Sequence, residues 1–409
     1  MFEMASSTLG EIGKVCMCKR ILKEQTSPIG EIPFYKISTF GARADCYISR
    51  EIYEDYKQRF SFPKRGDILI SAAGTIGRTV RYDGSDAFFQ DSNIVWIDND
   101  ESKVTNDYLY YFYQTNPWVK THGSTIERLY NDNIRCVKIS YPTDLGVQRK
   151  IVGVLKTIDD KIANNNAICA ELEAMAKLLY DYWFVQFDFP DENGKPYKSS
   201  GSRMVWSEEL KREIPEGWEV KTIGDISRMV NDSITPNKSS MYHHFSIPAF
   251  DDTHMPVYEP GASIDSNKYC VNDDYILVSK LNPQFKRIWV ISKAPENSIC
   301  STEYMPFVST NDAKEFLYST LNSDAFYTFM VNSSSSSTGS RKRMPPEMCP
   351  RFKIPYPKNG SVVTQYCNAV KPMLDRANSM YSENQELASL RDFLLPLLMN
   401  GQVVINSDE

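Results

Sequence analysis

The side chains that could do chemistry here are donors for an anion. The stretch RGDILISAAGTIGRTV, Arg65 to Val80, places Gly74, Thr75, Gly77 and Arg78 where a turn is expected between two strands. Two glycines three residues apart let backbone amides approach something bulky, and a phosphate is one candidate; a plain hairpin turn fits the spacing equally well. A second group sets Gly123, Ser124 and Thr125 beside Arg128. Further on, Lys280, Lys286 and Arg287 share one loop, and Ser340, Arg341, Lys342 and Arg343 open a run in which Arg351, Lys353 and Lys358 follow and only Glu347 opposes them. A basic cluster that dense is a candidate phosphate-binding patch, with a solvated loop as its alternative.

No catalytic set accompanies these residues. Cys16 and Cys18 form a C-x-C without a second pair at metal-ligand spacing, and His122, His243, His244 and His254 are not at H-x-x-x-H spacing. No metal site is therefore expected, and the histidines read as surface or loop residues. Pro190 and Asp191 with Lys195 lack the acid-x-lysine element of nucleases. Asn282-Pro283-Gln284-Phe285 is one residue from the Asn-Pro-Pro-Tyr/Phe motif of adenine methyltransferases, but no glycine-rich cofactor loop lies upstream. Neither G-x-x-x-x-G-K-[ST] nor G-x-G-x-x-G occurs.

At 409 residues, 42% hydrophobic and 24% charged, the composition is that of an ordinary soluble protein, and two or three domains are expected. No apolar run reaches membrane-spanning length and the first residues lack a secretory signal, so a cytoplasmic protein without membrane contact is expected. Nine scattered cysteines suit reduced thiols. The net charge of −6 by itself argues against nucleic acid, but it is unevenly spread: residues 1–150 sum to +1, 211–370 to 0 and 151–210 to −4.

The elements that must position the donors come in two copies. Thr8-Leu9-Gly10-Glu11-Ile12 returns 214 residues later as Thr222-Ile223-Gly224-Asp225-Ile226. Strands are expected from Ile32 to Phe40, on either side of the glycine turn, from Phe88 to Asp98 and over Lys138 to Pro142, with a short helix from Asn106 to Gln114 capped by Asn106. In the second copy Tyr275 to Ser279 and Phe316 to Tyr318 follow their counterparts by 208, and Tyr356-Pro357 by 215; the run from Ser333 to Ser337 reads as an inserted flexible loop. The turn itself differs, glycine-rich from Ser71 to Arg78 but not from Lys280 to Arg287, which suggests one scaffold carrying loops for two targets.

Each copy ends in a long helix. Steps of four and three give Ile151, Leu155, Ile158, Ile162, Asn165, Cys169, Leu172, Ala176, Leu179 and Trp183, and adding 215 gives Tyr366, Val370, Met373, Ala377, Met380, Asn384, Leu387, Arg391, Leu394 and Leu398. A sustained 3.5-residue period predicts two helices supercoiled on each other, with an asparagine in each seam setting register. Pro372 predicts a kink, or a late start, in the second helix. Phe187 to Gly217, rich in proline, glycine and serine, reads as an exposed connector.

With these residues in hand, the chain closely resembles the specificity subunits of type I restriction-modification systems. The likeness rests on GDILISAAGTIG, on GSTIERL followed by KISYP and QRKIVGVLKTIDDKI, on YDYWFVQFDFPDENGKPYKSSGSRMVW, and on IPEGWEVKTIGDI at 214–226. The resemblance implies a mixed α/β fold: two target-recognition domains, 1–145 and 218–358, held apart by antiparallel long helices, 146–186 and 359–400, with a connector at 187–217. Each domain would read one half of a split, asymmetric sequence in double-stranded DNA. The helices would dock two methyltransferase subunits, restriction subunits would join, and the chain would carry no active site or cofactor, S-adenosylmethionine, ATP and magnesium being held by its partners. Two rigidly spaced domains can read major-groove sites about 34–36 Å apart. The candidate DNA contacts are then Gly74, Thr75, Gly77, Arg78, Gly123, Ser124, Thr125, Arg128, Lys280, Lys286, Arg287, Ser340, Arg341, Lys342 and Arg343. Two other readings stay open: a coiled-coil scaffold without DNA binding, and a single-chain methyltransferase or nuclease with degenerate motifs.

Overall fold

The computed structural model describes residues 2–118, 128–335 and 341–403. It is a mixed α/β protein whose contacts form two units, 1–160 with 387–409 and 161–386. In the first, a four-stranded antiparallel sheet runs in the order Gly13–Met17, Ile94–Asn99, Ile68–Ser71, Thr79–Arg81. The second repeats it with Ser227–Met229, Tyr304–Ser309, Ile276–Ser279 and Ile288–Val290. A two-stranded ladder pairs Met4–Thr8 with Lys138–Pro142, and Trp218–Thr222 with Lys353–Pro357. The copies part company in the remaining sheet: Tyr47–Ile48, Ile32–Tyr35 and Phe88–Phe89 form three strands in the first unit, whereas the second has five.

Alternation explains why these segments are strands. Ile139 and Tyr141 are buried while Lys138 and Ser140 face water, the period-two signature of a half-covered strand. The Ile68–Ser71 and Ile276–Ser279 strands are buried along their whole length, as continuous apolar runs covered on both faces should be.

Several sequence expectations give way to local hydrogen bonding. The strand expected to reach Phe40 ends at Tyr35, because the Thr39 hydroxyl accepts the Lys36 amide at 3.1 Å and the Thr39 amide returns to the Lys36 carbonyl at 3.0 Å. The strand from Phe88 to Asp98 is broken at Gln90 to Asn93, where Ser92 is left-handed with φ 55°. The Asn106–Gln114 helix is capped by Thr105, whose hydroxyl accepts the Tyr108 amide at 3.2 Å. Asn106 instead sits buried against Asn99, accepting its amide at 3.0 Å. His243 and His244 lie in the strand Met241–Phe245, and His244 is largely buried with Nδ1 2.7 Å from Glu259. Burial pushes the His244 ring below its usual pKa, with Glu259 opposing the shift.

The segment from Phe187 to Gly217 is not an exposed connector. It contains the hairpin Met204–Ser207 with Arg212–Pro215, and Phe187, Phe189 and Ile214 join the core around Trp218, Phe316 and Tyr366. Its aromatics outweigh its turn residues. In the serine run, Ser333 closes the helix Asp324–Ser333 and Ser335 bridges to Arg343; Ser336 and Ser337 lie outside the described residues. All nine cysteines are free, and among the described residues no helix is long and apolar enough to cross a membrane.

The long helices span Leu145–Tyr180, continued by a π turn over Asp181–Val185, and Ser361–Met399. The second starts well before Pro372 and passes through it. Pro372 and Asn368, whose carbonyl loses its amide partner, are both exposed, so water can replace the missing bond. Near the start of the first helix, Gln148 is fully buried and satisfied: Oε1 accepts the Thr105 amide at 2.9 Å, and Nε2 donates to the Lys103 and Pro142 carbonyls, both at 2.8 Å. It ties the helix to the strand before it and to the cap of the short helix.

Within the second unit, Asn165, Cys169 and Ala176 meet Asn384, Ala377 and Tyr366, so the helices run antiparallel there. Within the first, Ile151 and Leu155 cluster with Leu395 and Leu398, and Arg391 donates to Asp159 at 3.0 Å while Tyr111 donates to the other carboxylate oxygen at 2.7 Å. The arginine in the seam is thus neutralised where it stands. Asn165 donates to Asn384 at 2.9 Å and to Glu383 at 2.8 Å, and Asn384 donates to Asn166 at 2.8 Å. The Asn165 Oδ1 is buried with no partner among the described residues, which makes this network costly in stability. Asn165→Leu alone, stranding Asn384, is expected to cost about 1–3 kcal/mol. The double change Asn165→Leu with Asn384→Leu should instead raise the thermal midpoint above that of the natural chain; a midpoint between the single variant and the natural chain would contradict this.

Candidate nucleic-acid interface

The glycine turn is held from inside. The Ser71 amide donates to the Arg78 carbonyl at 2.8 Å, the Gly77 amide to the Ser71 carbonyl at 3.0 Å and the Ile76 amide to the Gly74 carbonyl at 2.9 Å. The Ser71 hydroxyl accepts the Arg78 amide at 2.9 Å and donates to the Thr75 carbonyl. Of the two readings the glycines allow, a turn that closes on itself describes most of these amides better than a full amide cradle for phosphate. The Thr75 amide has no partner among the described residues, and Gly74 and Thr75 are both exposed. Both glycines are left-handed, with φ +64° at Gly74 and +82° at Gly77. At Gly77 a second demand applies: a Cβ would stand 2.5 Å from the Trp118 ring. Glycine is needed there for packing.

Around this turn the structure gathers Arg78 and Arg128. Arg78 donates to the Phe40 carbonyl at 2.9 Å, and Arg128 to the Ser92 carbonyl at 2.9 Å, so each guanidinium also steadies a neighbouring loop. Arg128 pairs across a β-bridge with Ala73, and the Leu129 amide donates to the Ala72 carbonyl at 2.8 Å. Gly123, Ser124 and Thr125 lie outside the described residues, as do His122 and Ser340. Sequence reasoning missed Arg43. It is exposed, in no ion pair among the described residues, and two residues beyond Gly41, where an added Cβ would lie 3.7 Å from the Arg78 side chain.

The second unit builds the same clasp from other residues. The Ser279 amide donates to the Arg287 carbonyl at 3.0 Å, as Ser71 does to Arg78. The Lys280 amide donates to the Glu303 carbonyl at 2.9 Å, as Ala72 does to Asn93 at 2.7 Å. The Met344 amide donates to the Lys280 carbonyl at 3.0 Å and Leu281 bridges Arg343, as Leu129 and Ala73 do with Ala72 and Arg128. Asn282, left-handed at φ 49°, adds two bonds to Lys342: its amide donates to the carbonyl at 2.7 Å and its Oδ1 accepts the amide at 3.0 Å. The asparagine of the methyltransferase-like tetrapeptide is therefore a fastener for the basic segment. Likewise Asp191, in the nuclease-like fragment, accepts the amides of Asn193 and Lys195, both at 2.8 Å.

Half of the basic cluster is neutralised in place. Arg287 forks onto Asp251 at 2.6 and 2.8 Å, Lys286 reaches Asp324 at 2.6 Å and lies 4.8 Å over the Tyr327 ring, and Arg343 meets Glu303 at 2.7 Å. Lys280, Arg341 and Lys342 are in no ion pair among the described residues. Among the described residues no group of three or more histidine, cysteine, aspartate or glutamate side chains could hold a metal. The Arg343 hydrogen bond holds the Glu303 carboxyl below the ordinary carboxylate range, against its burial. A depressed folded pKa means the pair stabilises above the unfolded pKa of about 4.3 and loses that contribution as pH falls through the folded value. Glu303→Gln is accordingly expected to cost about 1 kcal/mol in urea unfolding at pH 7, the gap from the natural chain closing below pH 4; a gap independent of pH would contradict the assignment.

Residues 1–174 match the family described as the type I restriction modification DNA specificity domain. The chain is 53% identical over 178 residues to a putative type I restriction enzyme specificity subunit of Haemophilus influenzae, covering 43% of this chain and 45% of that one. It thus spans less than half of that relative. Over 404 residues it is 26% identical to the type I restriction enzyme MjaIX specificity subunit of Methanocaldococcus jannaschii, covering 91% and 87% of the two. In fold it is similar to the crystal structure of the type I restriction-modification S subunit from M. genitalium, at a TM-score of 0.57 and 15% identity, over 97% of this chain and 96% of that one. The family named by these relatives is the one that the motifs from GDILISAAGTIG to IPEGWEVKTIGDI resemble, and the match to its model spans residues 1–174 of the chain.

Proposed function

We propose that the chain is the non-catalytic, sequence-reading subunit of a type I restriction-modification complex, and that its two target-recognition domains, 1–145 and 218–358, each read one half of a split, asymmetric DNA target. The long helices, 146–186 and 359–400, meet along the seam of Ile151, Leu155, Ile158, Ile162, Leu172 and Leu179 with Val370, Met373, Met380, Leu387, Leu394 and Leu398, and dock two methyltransferase subunits, which restriction subunits then join. S-adenosylmethionine would be bound by the methyltransferase subunits, and ATP and magnesium by the restriction subunits. The protein would work in the cytoplasm.

The observation that carries this reading is the repeated clasp: four backbone links recur between equivalent positions while the turn residues they hold differ. Phosphate contacts fix register and carry no sequence information, whereas loop side chains read base edges. Thr75, Arg78 and Arg128 in the first domain, with Gly74 and the segment Gly123 to Thr125, and Lys280, Arg341 and Lys342 in the second, are proposed as phosphate contacts, whereas Gly77, its amide bonded to Ser71, serves to pack the turn. Lys286, Arg287 and Arg343, already paired with carboxylates, act chiefly by holding the basic loop, and Ser340 is proposed as a further DNA contact.

Neutralising two phosphate contacts should weaken binding to every sequence alike and lower the salt dependence of log K by about 2. For the chain assembled with methyltransferase subunits on a duplex of arbitrary sequence, Arg341→Gln with Lys342→Gln is expected to do this in fluorescence anisotropy at several salt concentrations. An unchanged slope and affinity would favour a coiled-coil scaffold that does not touch DNA.

A further inference from the structure

The turn that stands in place of the glycines in the second unit carries an aromatic side chain in the open: Phe285 is 54% exposed. A single apolar side chain on a surface calls for no explanation by itself. What sets Phe285 apart is how firmly it is held and what surrounds it. Its amide donates to the Asn282 carbonyl at 2.9 Å, closing the turn, and Asn282 is itself fastened to Lys342. The two residues that follow are pinned as well, Lys286 to Asp324 and Arg287 to Asp251. The ring thus stands on a support fixed from both sides, with little freedom left to lose when it meets a ligand. The first unit has no counterpart, because the equivalent turn exposes Gly74 and Thr75 and packs its large apolar residue, Ile76, against the core.

The clasp lays the basic segment along this turn, Arg343 bridging Leu281 and Lys342 bonding Asn282, so Lys280, Arg341 and Lys342 stand near it without an ion pair among the described residues. Unpaired cations draw a polyanion to the turn, and an apolar ring at the same place needs an apolar surface on that polyanion. Duplex DNA offers two: the faces of stacked bases, reached by a wedge that parts a base step, and the 5-methyl group of thymine in the major groove. A wedge between two bases needs both faces free. Here the Arg287 guanidinium lies 5.2 Å over the Phe285 ring and is held there by bonds to Asp251 at 2.6 and 2.8 Å. One face is covered; the other face and the ring edge are what the turn presents, and they suit a methyl group.

We propose that Phe285 is a base-reading residue of the second domain, its ring packed against the 5-methyl group of one thymine in the half-site which that domain reads. This rests on the reading of the chain as a DNA-recognising subunit and adds to it a named reader, the base it favours and the group on that base. The discrimination expected is about fourfold, the value of withdrawing one methyl group from water, and it falls on one position of one half-site. The neighbouring cations add affinity for any sequence.

The test uses the full chain assembled with an adenine methyltransferase subunit of a type I system, and a duplex carrying the motif that this complex methylates. Each thymine of the motif, on either strand, is replaced in turn by deoxyuridine, which lacks only the methyl group. The natural complex is expected to bind one of these duplexes about fourfold more weakly in fluorescence anisotropy, and the Phe285→Ala complex to bind its thymine and deoxyuridine forms equally. With Phe285→Ala the methylated motif should also relax at that one position, the other block and the gap being kept. The Phe285→Ala chain alone should melt within a few degrees of the natural chain, since the side chain is exposed. Absence of any thymine at which deoxyuridine weakens binding, or the same sensitivity in Phe285→Ala, would overturn the proposal and leave the subunit reading intact, as would a loss of affinity in Phe285→Ala that is equal on every sequence. A natural complex that assembles but binds all sequences alike would overturn the subunit reading itself, and the proposal with it.

Discussion

The organisation of each unit depends on a backbone constraint: the strand that ends in Ser71 or Ser279 must find partners for its last amides and carbonyls after the sheet has run out. It finds them in the main chain of the segment bearing Arg128 or Arg343 and in that of the turn that follows. Bonds between backbone groups do not care which side chains flank them. The turn can therefore be glycine-rich in one copy and built from Asn282, Pro283 and Phe285 in the other without loss of the clasp. A scaffold fixed by backbone and a rim free to vary is what a protein needs if its two halves are to recognise different things.

Side chains then decide how each rim is used. In the first unit Arg78 and Arg128 brace carbonyls and are in no ion pair among the described residues. In the second, Asp251, Asp324 and Glu303 cancel three of the six cations, and three are left beside the clasp. The net charge of −6 is compatible with this, because what a phosphate meets is the local field of a few unpaired groups, not the sum over the chain.

What could be read from the sequence is what depends on short-range periodicity. The alternation in Lys138 to Pro142 and the duplicated offsets lead directly to the ladders and sheets seen in both units. The step of four and three picks out buried positions such as Ile151, Leu155, Val370 and Met380, with Asn165 and Asn384 within hydrogen-bonding distance of each other. What escaped depends on partners distant in the chain. Nothing near Gly77 announces that Trp118 will press against it, and nothing near Lys286 or Arg287 says that Asp324 and Asp251 will neutralise them. Pro372 does not mark the start of the second helix, because the carbonyl that it deprives of a partner, at Asn368, faces water. Phe187 and Phe189 mislead because a connector rich in turn residues can still bury its aromatics.

The most direct test of the central claim, one scaffold reading two different half-sites, is the pattern of methylated adenines that the chain produces with a methyltransferase subunit, mapped by single-molecule sequencing. The account predicts two short blocks separated by a fixed gap, and, when residues 218–358 are exchanged for those of a relative, a change in one block with the other and the gap retained. A single contiguous motif, a change in both blocks, or no methylation from a complex that demonstrably assembles would contradict it.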